Sequence, residues 1–263
     1  MRSAAHPPGT LARRQRRAIL AGLAGVALLA WLDLARMTWD MHRAMQAGIA
    51  CELHPWTAAD AALTFLMWAV MMVGMMLPSA APMSLLFASV ARKAAAQGSA
   101  VAPAFVFSSG YLAAWTLFSV GATALQWWLE RAALLSPMLA SASPLFGGGV
   151  LVLAGLYQWS PWKDACLDHC RAPAHFFAQH WRPGAWGAFR MGLAHGLYCL
   201  GCCALLMGLL FVGGVMNLLW VAGITLFVLV EKIAPHGERI ARLAGAGMLL
   251  AGATQIWGAL AHA

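Results

Sequence analysis

Six cysteines occur in the 263-residue chain, and five of them, Cys166, Cys170, Cys199, Cys202 and Cys203, fall between positions 166 and 203. Even scattering would place about one there. Thiolates are soft ligands suited to Cu(I), Zn(II) or an iron-sulfur cluster, and paired thiols can instead cycle through a disulfide. The first element reads Lys163-Asp-Ala-Cys166-Leu-Asp-His169-Cys170-Arg171. As a helix it would set Cys166 and Cys170 one turn apart on one face, with His169 three residues from Cys166. Lys163 and Arg171 favour the thiolate form, and Asp164 and Asp168 oppose it. The second element reads His195-Gly-Leu-Tyr-Cys199-Leu-Gly-Cys202-Cys203 inside an apolar segment. On a helix His195, Cys199 and Cys202 share a sector of roughly 60°, but His195 and Cys202 stand roughly 10 Å apart along the axis, too far for one ion. Only adjacent pairs can chelate, His195 with Cys199 or Cys199 with Cys202 or Cys203, so the remaining ligands are expected from Cys166 and Cys170. A single cysteine in an apolar helix is usually a small packing residue. The grouping with His169 and His195 favours ligation, and an ionisable group such as His195 within an apolar span is by default functional.

Methionine patterning points in the same chemical direction. Met67, Met71 and Met75 repeat every four residues, Met72 and Met76 form an adjacent stripe, and Met83 follows Pro78. Thioethers suit Cu(I), although adaptable packing in a kinked helix also explains the pattern. A second group, Met37-Thr-Trp-Asp-Met41-His42-Arg-Ala-Met45, precedes Cys51 and His54. It reads either as a capture site for copper at the outer surface, through Met37, Met41 and His42, or as an interfacial amphipathic helix.

The elements that must position these residues are membrane helices. The chain is 62% apolar and 10% charged, with a mean hydropathy of +0.71. That composition excludes a soluble globular enzyme and a disordered chain. Apolar segments lie near 18–35, 61–90, 104–129, 144–159, 189–214, 217–233 and 240–261. They predict an all-α, polytopic transmembrane bundle of about seven spans, the fourth borrowing residues 134–142 to reach the required length. Arg13, Arg14, Arg16 and Arg17 precede the first span, and Trp31, Asp33 and Leu34 replace the small residues of a cleavage site, so this span reads as an uncleaved signal anchor. With the N-terminus cytoplasmic, fourteen Lys and Arg lie inside and only Arg36, Arg43 and Arg131 outside. The net charge of +8 then belongs to a lipid-facing flank, and no aromatic-interleaved basic face suggests nucleic acid. The expected organisation is a basic cytoplasmic segment over 1–17 and one membrane domain over 18–263, with its Cys/His loop at 160–188 on the cytoplasmic side. Structural disulfides are disfavoured there.

The string Met67-Trp-Ala-Val-Met-Met-Val-Gly-Met-Met-Leu-Pro-Ser-Ala-Ala-Pro82, the two cysteine elements and Gly213-Gly-Val-Met-Asn-Leu-Leu-Trp220 together resemble a bacterial family described as predicted metal-binding integral membrane proteins, a domain of unknown function. The resemblance covers roughly residues 60–235. It implies a multi-pass protein of the bacterial inner membrane that binds metal, with copper handling proposed.

The expected function is Cu(I) binding as chaperone, acceptor or transporter, with Cys166, His169, Cys170, His195, Cys199, Cys202 and Cys203 as ligands and Met67, Met71 and Met75 as relay sites. Zinc is the other ion that fits. Partners would be the lipid bilayer, the metal ion and a soluble metal donor or acceptor protein. Two alternatives stand beside it: a membrane thiol-disulfide oxidoreductase using Cys199 and Cys202, and an assembly partner in which Zn(II) pins the loop to the fifth span. No catalytic triad, phosphate-binding glycine loop or paired membrane carboxylates appear, so no enzyme activity is expected. Glu231 and Lys232 are expected to pair or to snorkel at the interface.

Overall fold

Apolar runs broken by Ser-Pro, Thr and Asn capping signals fold into helices, and the computed structural model describes them over residues 8–47, 56–136 and 138–261. Arg2, Cys51 and His54 lie outside the described residues. In order the elements are α1 (Pro8–Gln46), α2 (Ala58–Ala96), α3 (Ala104–Arg131), α4 (Pro144–Tyr157), α5 (Pro161–Arg171), α6 (Pro173–His180), α7 (Gly184–Gly208), α8 (Leu210–Gly213), α9 (Leu218–Ile233) and α10 (Gly237–Ala261). No strand occurs among the described residues, only one isolated bridge between Leu135 and Ser141.

Local chemistry sets these boundaries. Thr57 and Asp60 cap α2 reciprocally, Thr57 N donating to the Asp60 carboxylate and Asp60 N to Thr57 Oγ1. Ser143 and Ser160 cap α4 and α5, each followed by a proline at the first helical position, and Asn217 caps α9.

Among the described residues, five helices rather than seven are long and apolar enough to cross a membrane: Arg13–Gln46, Ala58–Ala96, Ala104–Arg131, Gly184–Gly213 and Gly237–Ala261. The other two expected spans are shorter. Helix α4 has 14 residues and α9 has 16, about 21 and 24 Å of rise against a hydrocarbon layer of about 30 Å. The described residues 134–136 and 138–142 do not extend α4 as expected. They turn back on themselves instead, with Leu139 at a φ of 54° and Ala142 N donating to Leu134 O. At the start of the chain, α1 runs unbroken to Gln46, so Met37, Met41 and His42 sit on its last turns rather than on a separate interfacial helix.

Helix contacts fix the directions. Helices α3 and α7 run parallel and so close that a Cβ on Gly110 would strike the Phe189 carbonyl and one on Gly192 the Phe107 carbonyl. Antiparallel α4 and α10 meet through Gly148, Gly155, Gly245 and Gly252, again with backbone facing backbone. Small residues permit such approach where water does not drive association. Gly184 N donates to Ala100 O, which joins the start of α7 to the start of α3. Arg92 bonds Gln15, and Arg171 Nη2 bonds the Ala234 and Pro235 carbonyls. One end of the bundle therefore gathers the start of α1, the α2–α3 connection, α5, α6 and the α9–α10 connection. Among the described Lys and Arg residues, thirteen belong to this end. Arg36, Arg43 and Arg131 belong to the other.

Outward-facing Leu28, Leu29 and Leu32 on α1 and Leu243, Leu250 and Trp257 on α10 are exposed, the pattern of surfaces made for lipid. Inside, the main core joins Trp68, the α2 methionines and the α7 cysteines, and a second, aromatic cluster around Phe87, Phe107, Phe176 and Phe177 seats α6.

Candidate metal centre

The cysteine pattern of α7 turns three thiols to one place. Sγ of Cys202 and of Cys203 both bond back to the Cys199 carbonyl, at 3.1 and 2.8 Å, as side chains one turn along a helix can. The Sγ atoms of Cys199, Cys202 and Cys203 all lie within 4.8 Å of one another, and all three residues are buried. Helix α5 lays Cys170 against them, its thiol in hydrogen-bonding reach of the Cys199 and Cys202 sulfurs. Cys166, one turn earlier, packs on the α7 backbone, where a Cβ at Gly201 would come 2.5 Å from its Sγ. Burial pushes the Cys166 thiol above its ordinary pKa, and bonding to the neighbouring sulfurs, then burial, pushes Cys170 well above it.

Two residues with no cysteine-like signature complete the surroundings. Tyr111 Oη on α3 lies 3.1 Å from Cys199 Sγ and 3.2 Å from the Met76 carbonyl. Lys232 on α9 donates from Nζ to Cys199 Sγ at 2.8 Å, with Cys203 Sγ at 4.0 Å and Ser79 Oγ at 3.4 Å. Sequence spacing could not show either contact, since both arise from helices packed across the bundle. Lys232 does not snorkel to the interface, and Glu231 does not pair with it. The partner of Glu231 is Lys163 on α5, at 2.6 Å, with side chains 3% and 0% exposed.

That ion pair is one of three ties holding α5 over the thiols. Arg171 bonds the α9–α10 connection, and Arg242 bonds Asp164 at 3.2 Å. Tyr157 at the end of α4 bonds the Gly201 carbonyl and fixes the α7 backbone beneath Cys166.

The histidines stand apart from the converging sulfurs. His195 is buried among rings, 5.4 Å from Tyr111, 6.1 Å from Phe107 and 5.8 Å from Phe176, and its Nδ1 has no hydrogen-bond partner. His169 stacks on Tyr198 at 4.1 Å and 8°, its Nδ1 2.8 Å from the Ala165 carbonyl. Met67, Met71 and Met75 are all buried in the core that also holds the cysteines. Met37 packs against that core, while Met41 and exposed His42 follow toward the end where α2 begins, away from the thiols.

Three thiols in a triangle of this size match what a soft ion needs. Metal–sulfur bonds of about 2.3 Å in a trigonal arrangement put sulfurs about 4 Å apart, and Cys170 is placed to supply a fourth donor. The same triangle could close a disulfide only at the cost of two of its three ligands.

Comparison with known proteins agrees with the donor set. No curated protein and no solved structure matches the chain. The family model PpoB2, described as copper chaperone, matches residues 65–255, which extends the resemblance seen in the motifs and attaches copper to it in place of a label of unknown function. With well over half of its length matched, and with both cysteine elements inside the match, the chain belongs to the PpoB2 copper chaperone family.

Proposed function

We propose that this protein is a multi-pass protein of the bacterial inner membrane that takes Cu(I) as cargo into the thiol cluster and exchanges it with a soluble donor or acceptor at the α5–α6 end. The observation that carries the proposal is the convergence of Cys199, Cys202 and Cys203 within 4.8 Å, with Cys170 laid against them. Thiolate sulfur selects soft ions, and Cu(I) is content with two or three such ligands, whereas Zn(II) takes four. The end carrying thirteen described basic residues is the cytoplasmic one by the retention of Lys and Arg. Buried Met71 and Met75 extend the soft lining into the core, whereas His195 and His169 lie outside the three-thiol group. The role is binding and transfer, with no chemical reaction assigned.

The test is elemental analysis of the protein purified anaerobically in detergent. Wild type is expected to hold about one Cu(I) per chain, and Cys199→Ser to hold none while remaining folded by circular dichroism. Zinc at one per chain, with unfolding on chelation, would replace the proposal by a structural metal pin. Metal-free protein whose Cys199 and Cys202 oxidise as a pair would replace it by thiol-disulfide exchange.

A further inference from the structure

Lys232 presents a puzzle for any cation-binding cluster. Its ammonium touches Cys199 Sγ at 2.8 Å and reaches Cys203 Sγ at 4.0 Å. No carboxylate pairs with it among the described residues, because the adjacent Glu231 is engaged by Lys163. A fixed positive charge here works against every metal ion that enters. It does not work against all of them equally.

We propose that Lys232 sets the charge selectivity of the thiol cluster, admitting monovalent Cu(I) and disfavouring divalent ions such as Zn(II). This rests on the copper-binding role proposed above. An ion bonded to Cys199 Sγ at about 2.3 Å lies no farther than about 5 Å from Nζ, whatever direction it takes, because the sulfur-to-nitrogen distance is fixed at 2.8 Å. Repulsion at that separation scales with the charge of the ion. With the same three thiolates engaged and an effective dielectric near 20, the second unit of charge on Zn(II) lowers its affinity on the order of 100-fold relative to Cu(I). Sulfur alone supplies no comparable filter, since the same thiolates also hold Zn(II) well. Ser79 Oγ, 3.4 Å from Nζ, and the cluster sulfurs keep the ammonium hydrogen-bonded, so the charge stays beside the cluster.

The test compares equilibrium affinities for Ag(I) and Cd(II), which are thiophilic and need no redox control, in the full-length detergent-purified wild type, Lys232→Leu and Lys232→Arg. The readout is the Cd(II)-to-Ag(I) affinity ratio, with the protons released by each ion measured alongside. Losing the ammonium also makes each thiol harder to deprotonate, a cost that grows with the number of thiols an ion deprotonates, so the ratio is corrected for that proton release. Lys232→Leu is expected to raise the corrected ratio about 100-fold, and Lys232→Arg to keep it within a few-fold of wild type. Lys232→Gln, neutral but still hydrogen-bonding, should match Lys232→Leu and serves in its place if that variant melts. A ratio unchanged in both neutral variants, in protein whose wild type binds Ag(I), overturns the selectivity proposal and leaves the copper role standing. A wild type that binds neither ion overturns both.

Discussion

Glu231 and Lys232 are neighbours in the chain, yet they end in two unlike places. The Glu231 carboxylate meets Lys163 in a closed ion pair with almost no exposure, and the Lys232 ammonium ends among sulfurs that are not obligate anions. The first charge is answered by one opposite charge, through Glu231 Oε1 alone, with Oε2 left without a hydrogen-bond partner. The second is answered by groups that a metal ion could also claim. A buried pair of opposite charges serves as a fastener, because separating either partner strands the other in a poor solvent. A charge set against thiols is instead a condition imposed on whatever binds there. Helix α9 therefore holds α5 with one residue and conditions the cargo site with the next.

Breaking the fastener gives the largest effect. Lys163→Met leaves the Glu231 carboxylate buried without its cation, and the expected loss is about 3–5 kcal/mol, read as a marked fall in melting temperature in detergent. Lys163→Met combined with Glu231→Leu removes both charges and should recover most of that loss. A single variant that melts like wild type would show that the pair is not what holds α5. Metal binding separates the two regions further. The double variant, once folded, should still bind Cu(I), whereas Cys199→Ser should fold and not bind.

Much of this was legible from residue type and spacing, and what was hidden has definite causes. Five cysteines between 166 and 203 announced the site, and their placement on α5 and α7 follows from helical spacing alone. His195, expected as a ligand, is enclosed in rings and lies outside the three-thiol group. Tyr111 and Lys232 could not be read, since their contacts with Cys199 cross 88 and 33 positions of sequence and depend on which faces of α3 and α9 turn inward. The span count failed for a different reason. Hydropathy cannot see that the chain turns back between Leu134 and Ala142, whose backbones bond each other, or that Asn217 starts α9 late, so two apolar segments passed for full crossings.

Within α5 itself, two thiols on one helix have different surroundings. Cys170 touches the cluster sulfurs, and Cys166 packs against backbone at Gly201. Cys170→Ser is expected to weaken Cu(I) binding about tenfold, and Cys166→Ser to leave it within about twofold, measured by competition with a chromophoric Cu(I) chelator. Equal losses would mean that both thiols close over the ion and that the packing at Gly201 yields on loading.

The smallest effect is a rate. Both α5 thiols have pKa values raised above the ordinary range, Cys170 mainly by bonding to the cluster sulfurs and Cys166 mainly by burial. A raised pKa means less thiolate at a given pH, and only the thiolate is alkylated. Metal-free protein treated with iodoacetamide at pH 8 should therefore modify both residues several-fold more slowly than an exposed peptide thiol, with Cys170 the slower, as resolved by peptide mass mapping. Raising the pH should keep accelerating both reactions beyond pH 9, where the peptide thiol has begun to level off. Rapid alkylation of Cys170 at neutral pH would place a free thiolate there, which the contact with Cys199 and Cys202 does not allow, and α5 would then have to stand away from the cluster when no metal is bound.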